Sequence, residues 1–361
     1  KSKAQDYRTL LEREPLMQDP LFNVAAPWES DTRKFRDFTN LFDAQFIDAV
    51  AEKCPDKYQF PYYKRGEKSY DHSPYVHQAK SWDILLNQKK NLIIKSGTGS
   101  GKTECFMLPV LQDLMHERQK GVTEGIQALF LYPLNALIKS QQERMDAWCE
   151  AIAKSYGVRD KSQTVNYGMY NSSTPETGGN ARKIHVCESR DSMRNKMAPQ
   201  FLFSNPTMLE YMLLRRKDTP VLRASQGKLR WIILDEAHTY VGAAATNLAL
   251  QIKRIIDAFD TDISQIRFAV TSATIGNGSI ADLKNFVAGL TGKDATDIEV
   301  IDGDRIKPAI STKAQNDFLK DNGLTCNPTL LNSFCNDCDK VWSASEISAY
   351  FTGRKDILKG L

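Results

Sequence analysis

Three glycines at alternate positions, followed by Lys and Thr, are the first chemistry this chain offers. In Ser96, Gly97, Thr98, Gly99, Ser100, Gly101, Lys102 and Thr103, the glycines permit positive φ angles and bring backbone N–H groups close to an anion. A helix starting behind them would add its positive end. Lys102 can then reach the β- and γ-phosphates of a nucleotide, and the Thr103 hydroxyl can bind Mg²⁺. The usual phosphate-loop pattern asks for Gly at position 96, where Ser96 stands. Only Gly101, Lys102 and Thr103 must be of fixed type, so Ser96 departs from the pattern more than from the chemistry. The bland alternative is a glycine-rich turn with an incidental Lys; the placement between a strand and a helix argues against it.

A second chemical group follows the apolar run "WIIL". Asp235 suits a Mg²⁺ held through its waters, because that ion dehydrates reluctantly. Glu236 suits the orientation and deprotonation of an attacking water. Read alone, the pair could be an acidic helix N-cap and first turn. The phosphate loop upstream favours the catalytic reading.

Elements must hold these groups together. Short apolar runs read as buried parallel strands: 91–95, 127–132, 164–170, 200–204, 230–235 and 266–272. Helical stretches lie between them. Leu248, Ile252, Ile255, Ile256 and Phe259 share one helix face. Leu137, Ile138, Met145, Trp148 and Ile152 lie roughly on one side of another helix over 134–152. Pro109 should kink or end the helix that begins at Lys102. Strands alternating with helices predict an α/β fold, an open parallel sheet with helices on both faces. Ligands of such sheets gather at the carboxyl ends of the strands, and both chemical groups directly follow a predicted strand. Residues 1–73, rich in Pro and aromatics, read as an N-terminal extension packed on the core domain, with an amphipathic helix over 35–53. Residues 74–301 read as the core domain, and 302–361 as a small, mainly helical segment with a helix near Ala344.

Composition sets bounds. The 361 residues allow two or three domains. No apolar run approaches a membrane span, and the polar N-terminus is not a secretory signal. A net charge of +4 permits a nucleic-acid partner without proving one. Seven Cys, an odd number, suit a reducing cytoplasm better than a disulfide scaffold.

Taken together, these residues resemble superfamily 2 helicases of the DEAD/DEAH-box kind, whose phosphate loop commonly begins with a small residue, as Ser96 does. "DEAH" (Asp235 to His238) resembles motif II, and "SAT" (Ser272 to Thr274) motif III. "YPLNALIKSQ" (132–141) resembles motif Ia and "SNPTMLEYMLLR" (204–215) motif Ib. "PYVHQAKSW" (74–82) resembles the adenine-reading Q motif. The wording is similar to bacterial helicases with a C-terminal zinc-binding module, a group that includes DNA-repair helicases and those of phage-defence systems such as DISARM and Druantia.

The resemblance implies a RecA-like ATP-binding domain that couples ATP hydrolysis to movement on nucleic acid, DNA in preference to RNA. It implies that Gln78 binds adenine and that Ser96 through Thr103 cradle the phosphates. Thr103 and Asp235 would bind Mg²⁺, with Glu236 as catalytic base beside Lys102. His238, Ser272 and Thr274 would couple hydrolysis to movement, the two hydroxyls bonding near His238. Asn135, Lys139, Asn205 and Thr207 would lie along the strand. Arg215, Arg216 and Lys217 could add charge or form a solvated helix end.

The family's engine needs a second RecA-like domain carrying an arginine finger, worth about 10³–10⁵ in rate in related NTPases. No matching segment follows, so the chain is expected to be a fragment that hydrolyses ATP poorly alone. Cys326, Cys335 and Cys338 offer three zinc ligands at C-x8-C-x2-C spacing. A fourth would come from outside the segment or from Cys54 or Cys187; free thiols are the other reading. Rival functions are a double-stranded DNA translocase or remodelling subunit of a phage-defence complex, an RNA helicase, and a non-hydrolysing nucleotide-dependent scaffold. Expected partners are nucleic acid, the second motor domain of the full-length chain, and defence- or repair-complex subunits, with no membrane.

Overall fold

The computed structural model describes residues 27–61, 72–97, 99–121, 124–158, 164–178, 183–272, 279–303 and 305–306, with four short strands at 21–22, 325–326, 342–343 and 351–352. The chain forms two compact units, Glu29–Asp304 and Lys1–Trp28 with Arg305–Leu361.

The larger unit is built on eight parallel strands: β1 (Asn91–Lys95), β2 (Ala128–Leu131), β3 (Tyr167–Tyr170), β4 (Val186–Cys187), β5 (Phe201–Ser204), β6 (Trp231–Leu234), β7 (Arg267–Ser272) and β8 (Ile298–Asp302). They lie in the order β4-β3-β5-β2-β6-β7-β1-β8. Every pairing is parallel. Both faces are covered, so β1, β2, β5, β6 and β7 are apolar and almost wholly buried. The six predicted strands are all present. Two more join them: β4 is only two residues long, and β8 is a sheet edge whose apolar run is broken by Glu299. Neither carries the continuous apolar stretch that marks a buried strand.

Eight helices cover the sheet or bridge its strands: α1 (Val76–Leu86), α2 (Lys102–Gln119), α3 (Asn135–Ser155), α4 (Arg190–Asn195), α5 (Pro206–Leu214), α6 (Thr219–Ala224), α7 (Ala243–Ala258) and α8 (Ile280–Thr291). Leu248, Ile252, Ile255 and Ile256 of α7 are buried, as its periodicity predicts. The helix α2 does not end at Pro109 but runs through it. Phe106, Met107, Leu108, Val110 and Leu111 are all buried around the proline, and this packing outweighs the one backbone bond it forfeits.

The large unit starts at Glu29, ahead of the boundary expected at 73. Phe35, Phe38, Phe42 and Phe60 close around Trp82 of α1 with ring centroids 5.2–5.7 Å away. The amphipathic helix expected over 35–53 is broken into a 3₁₀ turn (Phe35–Asp37), a short helix (Ala44–Asp48) and a π turn (Ala49–Lys53). Asp43 explains the break. Its N–H donates to Gln112 Oε1 (3.0 Å), and its carboxylate accepts from Gln112 Nε2 (3.0 Å) and the Tyr156 hydroxyl (2.9 Å). Those tertiary bonds replace intrahelical ones.

In the smaller unit, Leu21–Phe22 pairs antiparallel with Trp342–Ser343, and Thr325–Cys326 with Phe351–Thr352. The Arg305 guanidinium sits 4.2 Å over the Trp28 ring. The helix expected near Ala344, and Cys335 and Cys338, lie outside the described residues.

Candidate nucleotide and nucleic-acid site

The phosphate loop leaves the carboxyl end of β1 and enters α2. Gly99 and Gly101 have φ of 75° and 72°, the region that glycine adopts without strain. A Cβ at Gly101 would also stand 2.4 Å from Gln78 Nε2, so the Gln78 amide would have to shift. Ser96 now has a function of its own. It is 3% exposed, and its hydroxyl lies 2.6 Å from the Ser100 hydroxyl, tying the two shoulders of the loop together. Ser100 O is bonded in turn to His77 Nε2 at 2.7 Å. Thr98 lies outside the described residues.

Gln78 anchors the loop from the side. Its Nε2 donates to Gly101 O (3.2 Å), and its Oε1 accepts the Tyr75 N–H (2.9 Å) at the start of α1. A primary amide has two donor hydrogens and two acceptor lone pairs. One of each is spent here, leaving one of each.

The strands β1 and β6 are separated in the sheet by β7 alone, so the DEAH segment lies near the loop. Lys102 Nζ donates to Ser96 O (3.1 Å) and stands 3.7 Å from Glu236 Oε1. The two segments therefore share one carboxyl edge. Asp235 N–H continues the β6–β2 ladder to Leu131 O (3.0 Å). Burial, reinforced by the charge of Glu236, pushes the Asp235 carboxyl above its ordinary pKa; the hydrogen bond from Thr271 and the charge of Lys102 oppose this only in part. Glu236 has φ 50° and ψ 47°, a left-handed conformation unusual for a non-glycine residue.

The residue that sequence reasoning missed is Thr271. Its hydroxyl donates to Asp235 Oδ1 and accepts the Glu236 N–H at 3.0 Å. One side chain thus holds the Asp235 carboxylate and the Glu236 backbone. The contact expected between Ser272 and His238 is not made. Side chains alternate along a strand, so Thr271 and Ser272 point to opposite faces. The Ser272 hydroxyl is fully buried with no hydrogen-bond partner among the described residues. His238 Nδ1 lies 3.2 Å from Glu236 Oε2 instead, without hydrogen-bond alignment. Thr274 lies outside the described residues. The "DEAH" and "SAT" strings locate Thr271 next to a motif, but only strand register reveals its bonds.

The residues expected to lie along a nucleic-acid strand also gather at the carboxyl edge. Asn205 caps α5, accepting the Met208 N–H (2.8 Å), and its amide donates to Asn135 Oδ1 (2.8 Å) at the start of α3. Asn135 Nδ2 reaches the Ser172 hydroxyl (2.9 Å). Lys139, one turn further along α3, and Thr207, in the first turn of α5, are exposed. Arg215, Arg216 and Lys217 are exposed where α5 ends, with Arg215 4.9 Å over the Tyr211 ring.

Of Cys326, Cys335 and Cys338, Cys326 alone lies among the described residues. Cys54 and Cys187 are buried; burial pushes Cys54 up to about 12, and Cys187 donates to Met197 O (3.6 Å). No group of three or more potential ligands occurs among the described residues.

A parallel α/β sheet with a phosphate loop on one strand, and a carboxylate pair two strands away, defines a nucleotide-driven motor domain. The chain belongs to the DEAD/DEAH box helicase family, whose sequence profile matches residues 75–283. It is a RecA-like helicase motor domain of the ATP-dependent kind, and that membership implies ATP and Mg²⁺ as cofactors. It is 26% identical to the Druantia protein DruE of Escherichia coli, covering 64% of this chain and 18% of DruE. It is 28% identical to the ATP-dependent helicase MJ1574 of Methanocaldococcus jannaschii, covering 63% of this chain and 28% of that one. The chain thus spans under a third of the length of these relatives. Its fold is shared with the DUF1998 helicase MrfA in a DNA-bound structure (TM-score 0.51, 23% identity, 84% of this chain and 32% of MrfA). It is shared equally with the DEAD-box helicase Mss116 bound to single-stranded RNA (TM-score 0.54, 17% identity, 76% of this chain and 46% of Mss116). No helix among the described residues is long and apolar enough to cross a membrane.

Proposed function

We propose that the complete protein is an ATP-driven DNA helicase or translocase and that this chain carries its nucleotide site. The observation that carries the reading is the approach of Lys102 Nζ to Glu236 Oε1, 3.7 Å apart from two motifs over a hundred residues distant in sequence. The residues present fit both cofactors. The buried Asp235 carboxylate, raised in pKa and short of cationic partners, is a site that a divalent ion would relieve. The positive-φ glycines and the start of α2 form an anion cradle.

In this reading Lys102 and the amides of Gly97 through Thr103 orient the phosphates, and Thr103 with Asp235 would hold Mg²⁺, which neutralises phosphate charge when bound. Glu236 takes a proton from the attacking water, with His238 beside its other oxygen. Gln78 offers adenine its remaining donor and acceptor, a pairing that adenine's N7 acceptor and N6 amine complement. The hydroxyls of Ser272 and Thr274 are assigned to coupling, because Ser272 is buried and unpartnered next to the DEAH segment, ready for a bond in another nucleotide state. Asn135, Asn205, Lys139 and Thr207 contact the backbone of one strand, which positions it without reading sequence. DNA is favoured by the DNA-bound MrfA structure and by DruE, a Druantia protein, among the relatives. The second motor domain, a defence or repair assembly and a cytoplasmic setting complete the proposal. Zinc remains a proposal for Cys326, Cys335 and Cys338.

The test is ATP turnover by the full-length protein with and without single-stranded DNA. Lys102→Ala and Glu236→Gln should each lower stimulated turnover by about 10²–10⁴. Turnover at the wild-type rate in both variants would overturn the mechanism.

A further inference from the structure

A buried carboxylate stands where an anion site would least tolerate one. Glu104 follows Thr103 directly, and its side chain is 1% exposed. Its Oε2 comes within 3.2 Å of the place a Cβ on Gly101 would occupy, so its charge lies against the phosphate loop. A negative charge at that point opposes a triphosphate unless it is neutralised. Arg144 of α3 neutralises it, with Nη1 2.9 Å from Glu104 Oε1. The same guanidinium lies 5.7 Å from the Trp148 ring, and the Glu104 carbonyl accepts the Trp82 indole N–H at 3.0 Å. Both ends of the pair are thus fixed in place.

The position of Arg144 gives the pair its meaning. It lies on the same helix as Asn135 and Lys139, five residues beyond Lys139, or about 7 Å along the axis. A rigid helix displaced at its N-terminal turn moves at Arg144 as well. Two apolar side chains of similar bulk would fill this space at no net loss, so a buried ion pair is not needed for stability. A packed, hydrogen-bonded contact between two helices with separate ligands is the kind of element through which two sites bias each other.

We propose that the Glu104–Arg144 pair couples strand binding on α3 to the phosphate loop on α2. Both are positioning residues: neither touches nucleotide or strand. Strand engagement at Asn135 and Lys139 shifts α3, Arg144 carries Glu104 with it, and the charge against Gly101 changes with nucleic-acid occupancy. This rests on the motor reading above.

The experiment uses the full-length protein, a fluorescent ATP analogue, ATP, and a single-stranded oligodeoxynucleotide. Arg144→Met alone removes the salt bridge to the buried Glu104 and should lower the melting temperature. The double variant Glu104→Gln/Arg144→Met removes both charges and should melt like wild type. In that double variant, turnover without DNA and the Kd for DNA should match wild type. The factor by which DNA raises kcat or tightens the analogue should fall by about tenfold. Arg144→Lys should restore part of it. Full stimulation in the double variant would refute the coupling role, as would an equal fall in basal and stimulated rates. Absence of stimulation in the wild type would instead overturn the motor reading, and the pair's role with it.

Discussion

The strands β6 and β7 end in two differently treated carboxylates. At their amino ends Asp113 of α2 is supplied with donors from every side. Arg230 gives Nε (3.0 Å) and Nη2 (3.1 Å), Trp231 its indole N–H (2.7 Å) and Arg267 its Nη2 (2.7 Å). Arg267 also donates to Leu85 O (3.0 Å) and lies 3.7 Å over the Trp231 ring. Burial would raise the Asp113 carboxyl, but these bonds and charges hold it below its ordinary value. At the carboxyl ends Asp235 is as deeply set yet, among the described residues, receives a side-chain hydrogen bond from the Thr271 hydroxyl alone, with the Glu236 charge beside it, and its pKa moves up. The first is a staple. The second is a carboxylate left short of positive charge, in the position proposed to hold a cation. A fully satisfied buried charge indicates structure, and an under-satisfied one indicates a ligand.

Substitutions separate the two ends by sign. Asp113→Ala strands Arg267, which is 8% exposed, and should cost about 3–5 kcal/mol in denaturant unfolding while leaving nucleotide affinity of the folded fraction unchanged. Unfolding at the wild-type midpoint would break the comparison. Thr271→Val keeps the shape but removes a bond to each DEAH residue. It should cost about 2 kcal/mol and lower kcat with little change in KM for ATP. Asp235→Asn relieves an unfavourable charge, so the nucleotide-free protein should melt at or above the wild-type temperature, by about 1 kcal/mol, while turnover is lost. A clear fall in stability would show that Asp235 is a staple too.

The smallest effect concerns pH. Burial pushes the Asp146 carboxyl of α3 up, but hydrogen bonds from Tyr167 and Lys183, with the His185 ring 3.4 Å away, depress its pKa from 3.8 to about 2. A depressed carboxylate adds stability above its unfolded pKa and loses it as pH falls through the folded one. The loss therefore falls between about pH 4 and 2, and with the partial exposure of this group it amounts to about 1 kcal/mol. Asp146→Asn should flatten that part of the acid-unfolding curve; an unchanged curve would show the bonds to be worth little.

Much of this was legible in the residues. The buried strands announce themselves as apolar runs, and the loop and DEAH segment as residue types with few other uses. Less visible were β4 and β8, because two residues or an edge strand carry no continuous apolar run. The break at Asp43 was hidden too: its partners Gln112 and Tyr156 are supplied by α2 and α3.

Local order suffices for part of the protein. Gly99, Gly101, Lys102 and Asp235 are read from backbone freedom, charge and position after a strand, which depend on near neighbours in the chain. Tertiary structure alone decided that Lys102 meets Glu236, that Thr271 bonds both Asp235 and Glu236, that the Gln78 amide lies against position 101, and that Glu104 pairs with Arg144. The first two of those contacts join segments whose adjacency follows from the crossover order β2-β6-β7-β1, and no residue's own preference records which strand will lie beside it.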